Sequence, residues 1–145
     1  MPENTQSYSN HTRWHPPFHF FLFPVMTIHL AWTIYKLAQA PTLDNAEQLL
    51  LAAGFIALFF LVRTNALKVQ DRLIRLEEQL RYQRLLPAEL AAKAGALPVR
   101  FIVALRFASD EELPSLIKQV LDRKFAKPAE VKRAIQNWRG DYFRV

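Results

Sequence analysis

A run of fourteen apolar residues, positions 49–62, limits what this chain can fold into more than any other feature. No polar side chain interrupts the run on any helical face, whereas a helix in a small soluble domain has one polar side. The run is shorter than the ~20 residues that cross a bilayer, so the flanking residues must contribute to a span. No glycine or proline follows it before Pro87. We predict one long helix, with a membrane span over residues 46–64 and a stem in water over residues 63–86.

A second apolar segment, residues 18–38, is long enough to cross a membrane by itself, because 20 helical residues extend ~30 Å. Pro41 stops this helix, and a short turn over residues 40–45 connects it to the next one. Two spans that are joined so closely must run antiparallel. We therefore predict a transmembrane helical hairpin over residues 18–62, with both termini of the chain on one side.

Aromatic and cationic residues stand where the membrane interfaces should lie. Trp and Tyr prefer the headgroup level, and Lys and Arg can extend their charges from the end of a span toward water. The residues that we assign to the interfaces are Trp14, Trp32, Tyr35, Lys36 and Arg63. The lipid bilayer is thus the first predicted partner.

Charge is distributed unevenly along the chain and indicates the orientation of the hairpin. Of 19 Lys and Arg residues, 17 lie at or after position 63, together with 10 of the 13 acidic residues. The net charge is therefore −1 before this position and +7 from it onward. Cationic residues concentrate in the cytoplasmic segments of membrane proteins. We predict that both termini lie in the cytoplasm.

Apolar residues in the predicted stem recur at alternating spacings of four and three, which is typical of a coiled coil. This seam consists of Val62, Ala66, Val69, Leu73, Leu76 and Leu80. Two interpretations stay open. The seam pairs with a second copy in a homodimer, or it packs against the chain's own C-terminal helices. Two i,i+4 pairs, Glu77 with Arg81 and Glu78 with Tyr82, are assigned to the outer, water-facing side of the stem.

The remainder of the chain, residues 87–145, is predicted to form a small basic helical domain. Residues 99–108 fit either a strand or a helix, and we choose a helix because a lone strand has no partner. Residues 113–121 carry an apolar face, and residues 128–138 complete an antiparallel helix pair. The first seventeen residues are polar and are expected to form a cytoplasmic tail without fixed structure.

His29 is an ionisable residue near the middle of the first predicted span, and such a residue is by default a candidate functional site. It could bind haem or a quinone, or relay protons. Alternatively, the imidazole forms a hydrogen bond with the second helix or with a carbonyl left unpaired near Pro24, which requires no chemistry. No acid, base and nucleophile occur together in a catalytic pattern, so we predict a non-enzymatic protein without a cofactor, haem at His29 being the alternative.

Nucleic-acid binding is the second alternative function, because a helix, a turn and a basic helix close the chain. The basic residues there alternate with Asp122, Glu130 and Asp141. Such mixed charge is typical of a solvated face. Nucleic acid is therefore not an expected partner.

Several blocks of the sequence resemble a bacterial family of two-helix membrane proteins whose function is unknown. They are residues 72–78, 80–82 and 104–114, followed by Lys132, Ala134, Ile135, Asn137, Trp138, Asp141, Tyr142 and Arg144. The block Ala-Leu-Arg-Phe-Ala-Ser-Asp at positions 104–110 is the most specific. The resemblance covers most of the chain after Phe18. It implies a membrane location with two spans, and it supplies no catalytic residues.

The sequence therefore predicts an all-α protein of the bacterial inner membrane. Its parts are a tail over residues 1–17, a transmembrane hairpin over residues 18–62, a coiled-coil-like stem over residues 63–86 and a helical domain over residues 87–145. The expected function is that of an anchor or accessory subunit, which presents the stem and the basic domain to cytoplasmic partners or to a larger membrane complex.

Overall fold

The computed structural model describes residues 6–11 and 14–142 and contains six α-helices there. They are α1 (Phe23–Gln39), α2 (Leu43–Leu85), α3 (Ala88–Gly95), α4 (Val99–Leu105), α5 (Leu113–Leu121) and α6 (Pro128–Ala134). A π-helical segment, Pro17–Leu22, leads directly into α1. The described residues include no strand, and their only β-type pairing is an isolated antiparallel bridge between Ala108 and Trp138. The prediction of an all-helical fold is confirmed.

The chain divides into two compact units, of which one consists of the described residues 14–67. Its first helix starts with Pro17 at an early position, where the missing N–H is not needed. Pro24 follows the π-helical segment. Proline lacks a backbone donor and crowds the carbonyl four residues earlier, and a π-helical turn relieves both conflicts locally. Pro24 therefore coincides with a change of helix type.

Side-chain contacts join the two long helices of this unit at both of their ends. Near the start of the first helix, the ring of Phe18 stacks on Phe59 with centroids 4.2 Å apart, and the guanidinium of Arg63 lies 5.4 Å from the Phe18 centroid. At the other end, Lys36 Nζ donates to Gln48 Oε1 at 3.1 Å. In the connecting turn, Asn45 Nδ2 donates to the carbonyl of Ala40 at 2.8 Å.

The other unit contains the described residues 6–11 and 68–142, and we call it the helical domain. It consists of the last part of α2 together with α3 to α6. Helix α4 lies between α5 and α6, and α3 contacts α5. The largest fully buried side chains of the domain are Tyr82, Ile102, Leu105, Phe107, Leu113, Ile117 and Val131. The core thus forms where the inner face of α2 meets the short C-terminal helices.

The helix predicted for residues 99–108 is present over Val99–Leu105. Four of its seven side chains are buried, and the helix contacts both α5 and α6. The final helix is shorter than predicted. Helix α6 ends at Ala134, where the predicted helix was to continue to Trp138, and its main helical neighbour is α4 rather than α5.

The carboxylate of Glu112 gives the physical reason for this early end. It accepts hydrogen bonds from the backbone N–H groups of Gln136 and Asn137 at 3.1 and 2.8 Å. The chain then runs beside residues 107–109, where the N–H of Ser109 donates to the carbonyl of Asn137 at 3.1 Å. Backbone groups that would continue the helix are therefore committed to other partners.

Residues 6–11 contact the rest of the helical domain, although the first seventeen residues were expected to lack fixed structure. The side-chain amide of Gln6 forms two hydrogen bonds with the backbone of Asp141, at 2.9 and 3.0 Å. The ring of His11 lies 5.9 Å from Phe107 and 5.7 Å from Trp138, measured between centroids. Composition alone indicated a free tail because these contacts depend on a surface that forms only on folding.

Candidate functional site

The last part of α2 has two opposite faces, and both bear on function. The inner face carries Ile74, Glu78, Arg81 and Tyr82, all of which are buried in the helical domain. The sequence interpretation assigned Glu78 and Arg81 to a water-facing side, which is wrong. Charged residues are seldom fully buried unless they are paired. The partners of these two residues therefore explain why this face of the helix is the inner one.

Arg81 is the centre of the buried polar network. Its side chain is 3% exposed. Its Nη1 donates to the Glu78 carboxylate at 3.1 Å, its Nε to Asp110 Oδ1 at 2.8 Å, and its Nη2 to the carbonyl of Ala108 at 2.7 Å. One guanidinium thus joins α2 to the loop between α4 and α5, and its planar array of donors suits such a junction.

Glu78 is held between two arginines but is poorly hydrated. Besides Arg81, its carboxylate contacts Arg139 Nη1 at 3.4 Å. Burial raises the pKa of Glu78 above its usual value, and this effect exceeds the lowering caused by the charges of Arg81 and Arg139. Beside it, burial and the charge of Glu78 raise the pKa of the Tyr82 hydroxyl. Tyr82 Oη has no hydrogen-bond partner within the described part of the chain.

A further ion pair connects the end of α4 to the C-terminal segment. Arg106 Nε lies 3.1 Å from Asp141 Oδ2, and the Arg106 guanidinium is 4.5 Å from the Phe107 ring centroid. The backbone of Asp141 also forms the two hydrogen bonds with the side-chain amide of Gln6 that are described above. The network therefore ties α2, α4, the C-terminal segment and residues 6–11 together. It positions elements of the domain, and it contains no nucleophile with an adjacent base.

The outer face of α2 carries the apolar seam, which the helical domain leaves uncovered. Val69 is 66% exposed, and Leu73, Leu76 and Leu80 are each 54% exposed. We call these four residues the outer stripe. The alternative that the seam packs against the chain's own C-terminal helices is wrong for all four. Within the unit of residues 14–67, the seam continues with exposed Val62 and half-buried Ala66.

His29 is exposed on α1, and among the residues that the structure describes its imidazole has no hydrogen bond to α2 or to a carbonyl near Pro24. The next histidine along the helix, His19, precedes it by ten residues, or ~15 Å of helix. One haem iron cannot bind both histidines of a single chain. His19 Nδ1 lies 3.0 Å from the carbonyl oxygen of His15. Among residues 6–11 and 14–142, no group of three His, Cys, Asp or Glu residues could hold a metal ion.

The residues that we assigned to the membrane interfaces lie near the two ends of the first helix and near Phe18. Trp14 contacts His19 and Phe20 of the π-helical segment, and its ring centroid lies 5.0 Å from that of His19 and 5.9 Å from that of Phe20. Arg63 lies over Phe18. At the far end, Trp32 and Tyr35 contact each other at 5.7 Å, and Lys36 binds Gln48. Trp14, Trp32 and Tyr35 are all more than half exposed.

The sequence did not lead us to predict the buried network, although it contains a signal for it. The residues that carry the family resemblance include Glu78, Arg81, Arg106, Asp110 and Asp141, which are five members of the ion pairs in this network. A single sequence shows that charged residues occur at these positions. It does not show which acid meets which base, because the pairs join residues up to 61 positions apart.

Comparison with known proteins identifies a family. The profile of a family of unknown function, DUF6526, matches residues 1–145. The match covers the whole sequence, including the first seventeen residues, and the chain belongs to this family. Neither the curated proteins nor the solved structures contain a match to it. The resemblance inferred from the sequence blocks is thus confirmed at the level of the family.

Proposed function

We propose that this member of the DUF6526 family is a non-enzymatic protein of the bacterial inner membrane. Two spans anchor it, and both of its ends lie in the cytoplasm. There it presents the outer stripe of α2 and the basic helical domain to a partner, as an anchor or accessory subunit of a membrane complex. The observation that carries the interaction role is the outer stripe, an apolar face left uncovered on a helix whose opposite face is fixed by buried ion pairs.

Exposure of the two long helices supports membrane insertion. Both Pro17–Gln39 and Leu43–Leu85 are long and apolar enough to cross a bilayer. Only 6% and 11% of their most apolar windows are buried within the protein. The core helix of a soluble protein of this composition would be mostly covered, because monomeric soluble proteins rarely expose large contiguous apolar surfaces. Lipid is the environment that would cover both helices.

The contacts of residues 6–11 support the two-span topology. Gln6 and His11 contact Asp141, Phe107 and Trp138, so these residues must share one aqueous compartment. The two apolar helices lie between them in the sequence. An even number of crossings follows, and the positive charge of the segment from residue 63 onward favours the cytoplasm for both ends.

Neither alternative function gains a specific observation. A haem at His29 would need a ligand from a second chain or a solvent molecule, because His19 is too far along the same helix. For nucleic-acid binding, the predicted basic helix is only seven residues long, and Arg81, Arg106 and Arg139 already pair with acidic groups of the domain. These three are among the 17 Lys and Arg residues from position 63 onward, and each is already paired within the domain.

Purification from native membranes tests the proposed function. The tagged wild type is compared with a Leu73→Ser/Leu76→Ser variant and with the control Arg75→Ser, whose exposed side chain lies outside the stripe. We expect all three proteins in the membrane fraction. The wild type and Arg75→Ser should retain a partner, whether another protein or a second copy, and only the double variant should lose it. A wild type that is found in the soluble fraction, or a double variant that keeps every partner, would contradict the proposal.

A further inference from the structure

We infer that the outer stripe binds the outer stripe of a second copy, so that two stems form a parallel, in-register dimer. This inference rests on the proposed function, because two copies inserted in one bilayer with the same topology hold their stems parallel. It adds the identity of the partner and the register of the contact. Four observations on the described residues carry it, namely position, width, charge and length.

The positions of the stripe match a two-stranded coiled coil. Leu73 and Leu80 are seven residues apart and take the a positions, while Val69 and Leu76 take the d positions. The inner residues Ile74, Glu78, Arg81 and Tyr82 lie on the other side of the helix, within the helical domain. The domain therefore does not block the seam.

The width of the stripe favours two strands over larger bundles. Its flanks are polar: Gln70 and Glu77 follow the d positions, and Arg72 and Gln79 precede the a positions. A narrow seam with polar flanks suits a dimer, whereas larger helical assemblies bury a broader apolar face. The inner face is already occupied by the domain, so each α2 has one such seam to offer.

Charge complementarity selects the second copy as the partner. In a parallel dimer, a residue that precedes an a position lies near the residue five places later in the other chain. Arg72 of one copy thus faces Glu77 of the other, and symmetry makes this pair occur twice. The next such pair brings together Gln79 and Arg84, which have no like charge. Both Arg72 and Glu77 are exposed in one chain.

The short length of the stripe is consistent with pairing on a membrane. Twelve residues from Val69 to Leu80 extend ~18 Å, and isolated helices of this length are marginal in water. Two anchored stems meet at a raised effective concentration and in one orientation. A contact that would be too weak between free helices can therefore persist between anchored copies.

Cysteine crosslinking in native membranes tests the register. The chain has no cysteine, so single substitutions report without background. Leu76→Cys and its neighbour Arg75→Cys form a matched pair, because only the first lies in the seam. Under mild oxidation we expect Leu76→Cys to form a crosslinked dimer at least tenfold faster than Arg75→Cys. Equal rates at both positions, or no dimer at Leu76→Cys, would overturn the inference.

A charge exchange tests the pairing of Arg72 with Glu77 in the Leu76→Cys background. Glu77→Arg replaces two attractive pairs by two repulsive ones and should slow crosslinking about two- to tenfold. The double exchange Arg72→Glu/Glu77→Arg restores opposite charges and should restore the wild-type rate. If the double exchange crosslinks as slowly as the single one, the parallel in-register pairing is wrong.

Fractionation of the same cells separates the two proposals. If the protein is in the membrane and Leu76→Cys does not crosslink, the dimer is refuted while the proposed membrane function stands. If the protein is in the soluble fraction, the proposed function is refuted, and with it the bilayer that holds the stems parallel. Crosslinking of Leu76→Cys to a different protein would also refute the dimer and identify a heterologous partner.

Discussion

Replacing Arg81 by alanine should loosen the helical domain by breaking its buried ion pairs. Arg81 and Glu78 side chains are 3% and 5% exposed, so water cannot replace the lost partner. The substitution leaves the Glu78 carboxylate and the carbonyl of Ala108 without the guanidinium. Loss of one partner of a buried ion pair costs about 3–5 kcal/mol. The half-exposed side chain of Arg139 still lies 3.4 Å from the Glu78 carboxylate. We therefore expect a loss of about 3 kcal/mol in the free energy of unfolding, at the lower end of this range.

Hydrogen–deuterium exchange of the full-length protein in detergent micelles measures this loss locally. Peptides from α4 and α5 report on the domain, because their side chains form its core. A loss of about 3 kcal/mol corresponds to roughly 100-fold faster exchange of their slowest amides. Arg84→Ala is the control, since Arg84 is exposed on the same helix and its loss should change stability by no more than about 0.5 kcal/mol.

The exchange rates of Arg81→Ala and Arg84→Ala can refute the structural role of the buried network. If exchange of α4 and α5 in Arg81→Ala equals that in Arg84→Ala, the buried arginine does not hold α2 to the domain. An equal effect on peptides of α1 and on those of α4 would also contradict the expectation, because Arg81 contacts only residues of the helical domain.

Three further substitutions are tested by the same exchange measurement. Tyr82→Phe removes a buried hydroxyl that has no partner among the described residues, so stability should be unchanged or rise by up to about 1 kcal/mol, whereas an appreciable loss would reveal a missing partner. Because burial raises the pKa of Glu78 above 4.5, the folded domain binds that proton more tightly than the unfolded chain does. As pH rises from 4.5 through the folded pKa, the wild type should therefore lose stability relative to Glu78→Gln, and a relative gain would show that attraction to the arginines prevails. Arg123 has a φ of 58° at the end of α5, so Arg123→Gly should stabilise the domain by about 0.5–1 kcal/mol while Lys124→Gly should not.

The long helices could be predicted from the sequence because their signals are local. Residues 49–62 have no polar side, and nothing between them and Pro87 breaks a helix. The structure has α2 over Leu43–Leu85, within three residues of the predicted limits at each end. The helix over Val99–Leu105 followed from the lack of a partner strand, and this reasoning needed only composition and order along the chain.

The inner face of α2 could not be predicted, because its burial depends on distant partners. A charged residue on a helix is usually exposed, and Glu78 and Arg81 were assigned on that basis. Their burial requires Asp110 and Arg139, which lie 29 and 61 residues away. The spacing of the apolar seam could not exclude packing within the chain, and only the folded structure shows that Val69, Leu73, Leu76 and Leu80 stay exposed.

The end of the chain illustrates a second limit. The pattern of Val131, Ala134, Ile135 and Trp138 fits one helical face, and intrinsic preference would continue the helix. Glu112 binds the backbone N–H groups of Gln136 and Asn137 instead. A hydrogen bond that Gln136 donates to a residue 24 positions earlier leaves no periodic trace in the sequence. The docking of Gln6 on Asp141 is hidden for the same reason.

The two-span topology is tested most directly by labelling single cysteines from each side of the membrane. Ser9→Cys, Asp44→Cys and Lys124→Cys place exposed thiols near the start, in the first turn of α2, and in the helical domain of a chain without native cysteine. We predict that an impermeant maleimide labels only Asp44→Cys from the outside, and labels Ser9→Cys and Lys124→Cys in inverted membrane vesicles. Labelling of Ser9→Cys and Lys124→Cys from opposite sides, or of all three from one side, would contradict the proposed membrane protein with two spans.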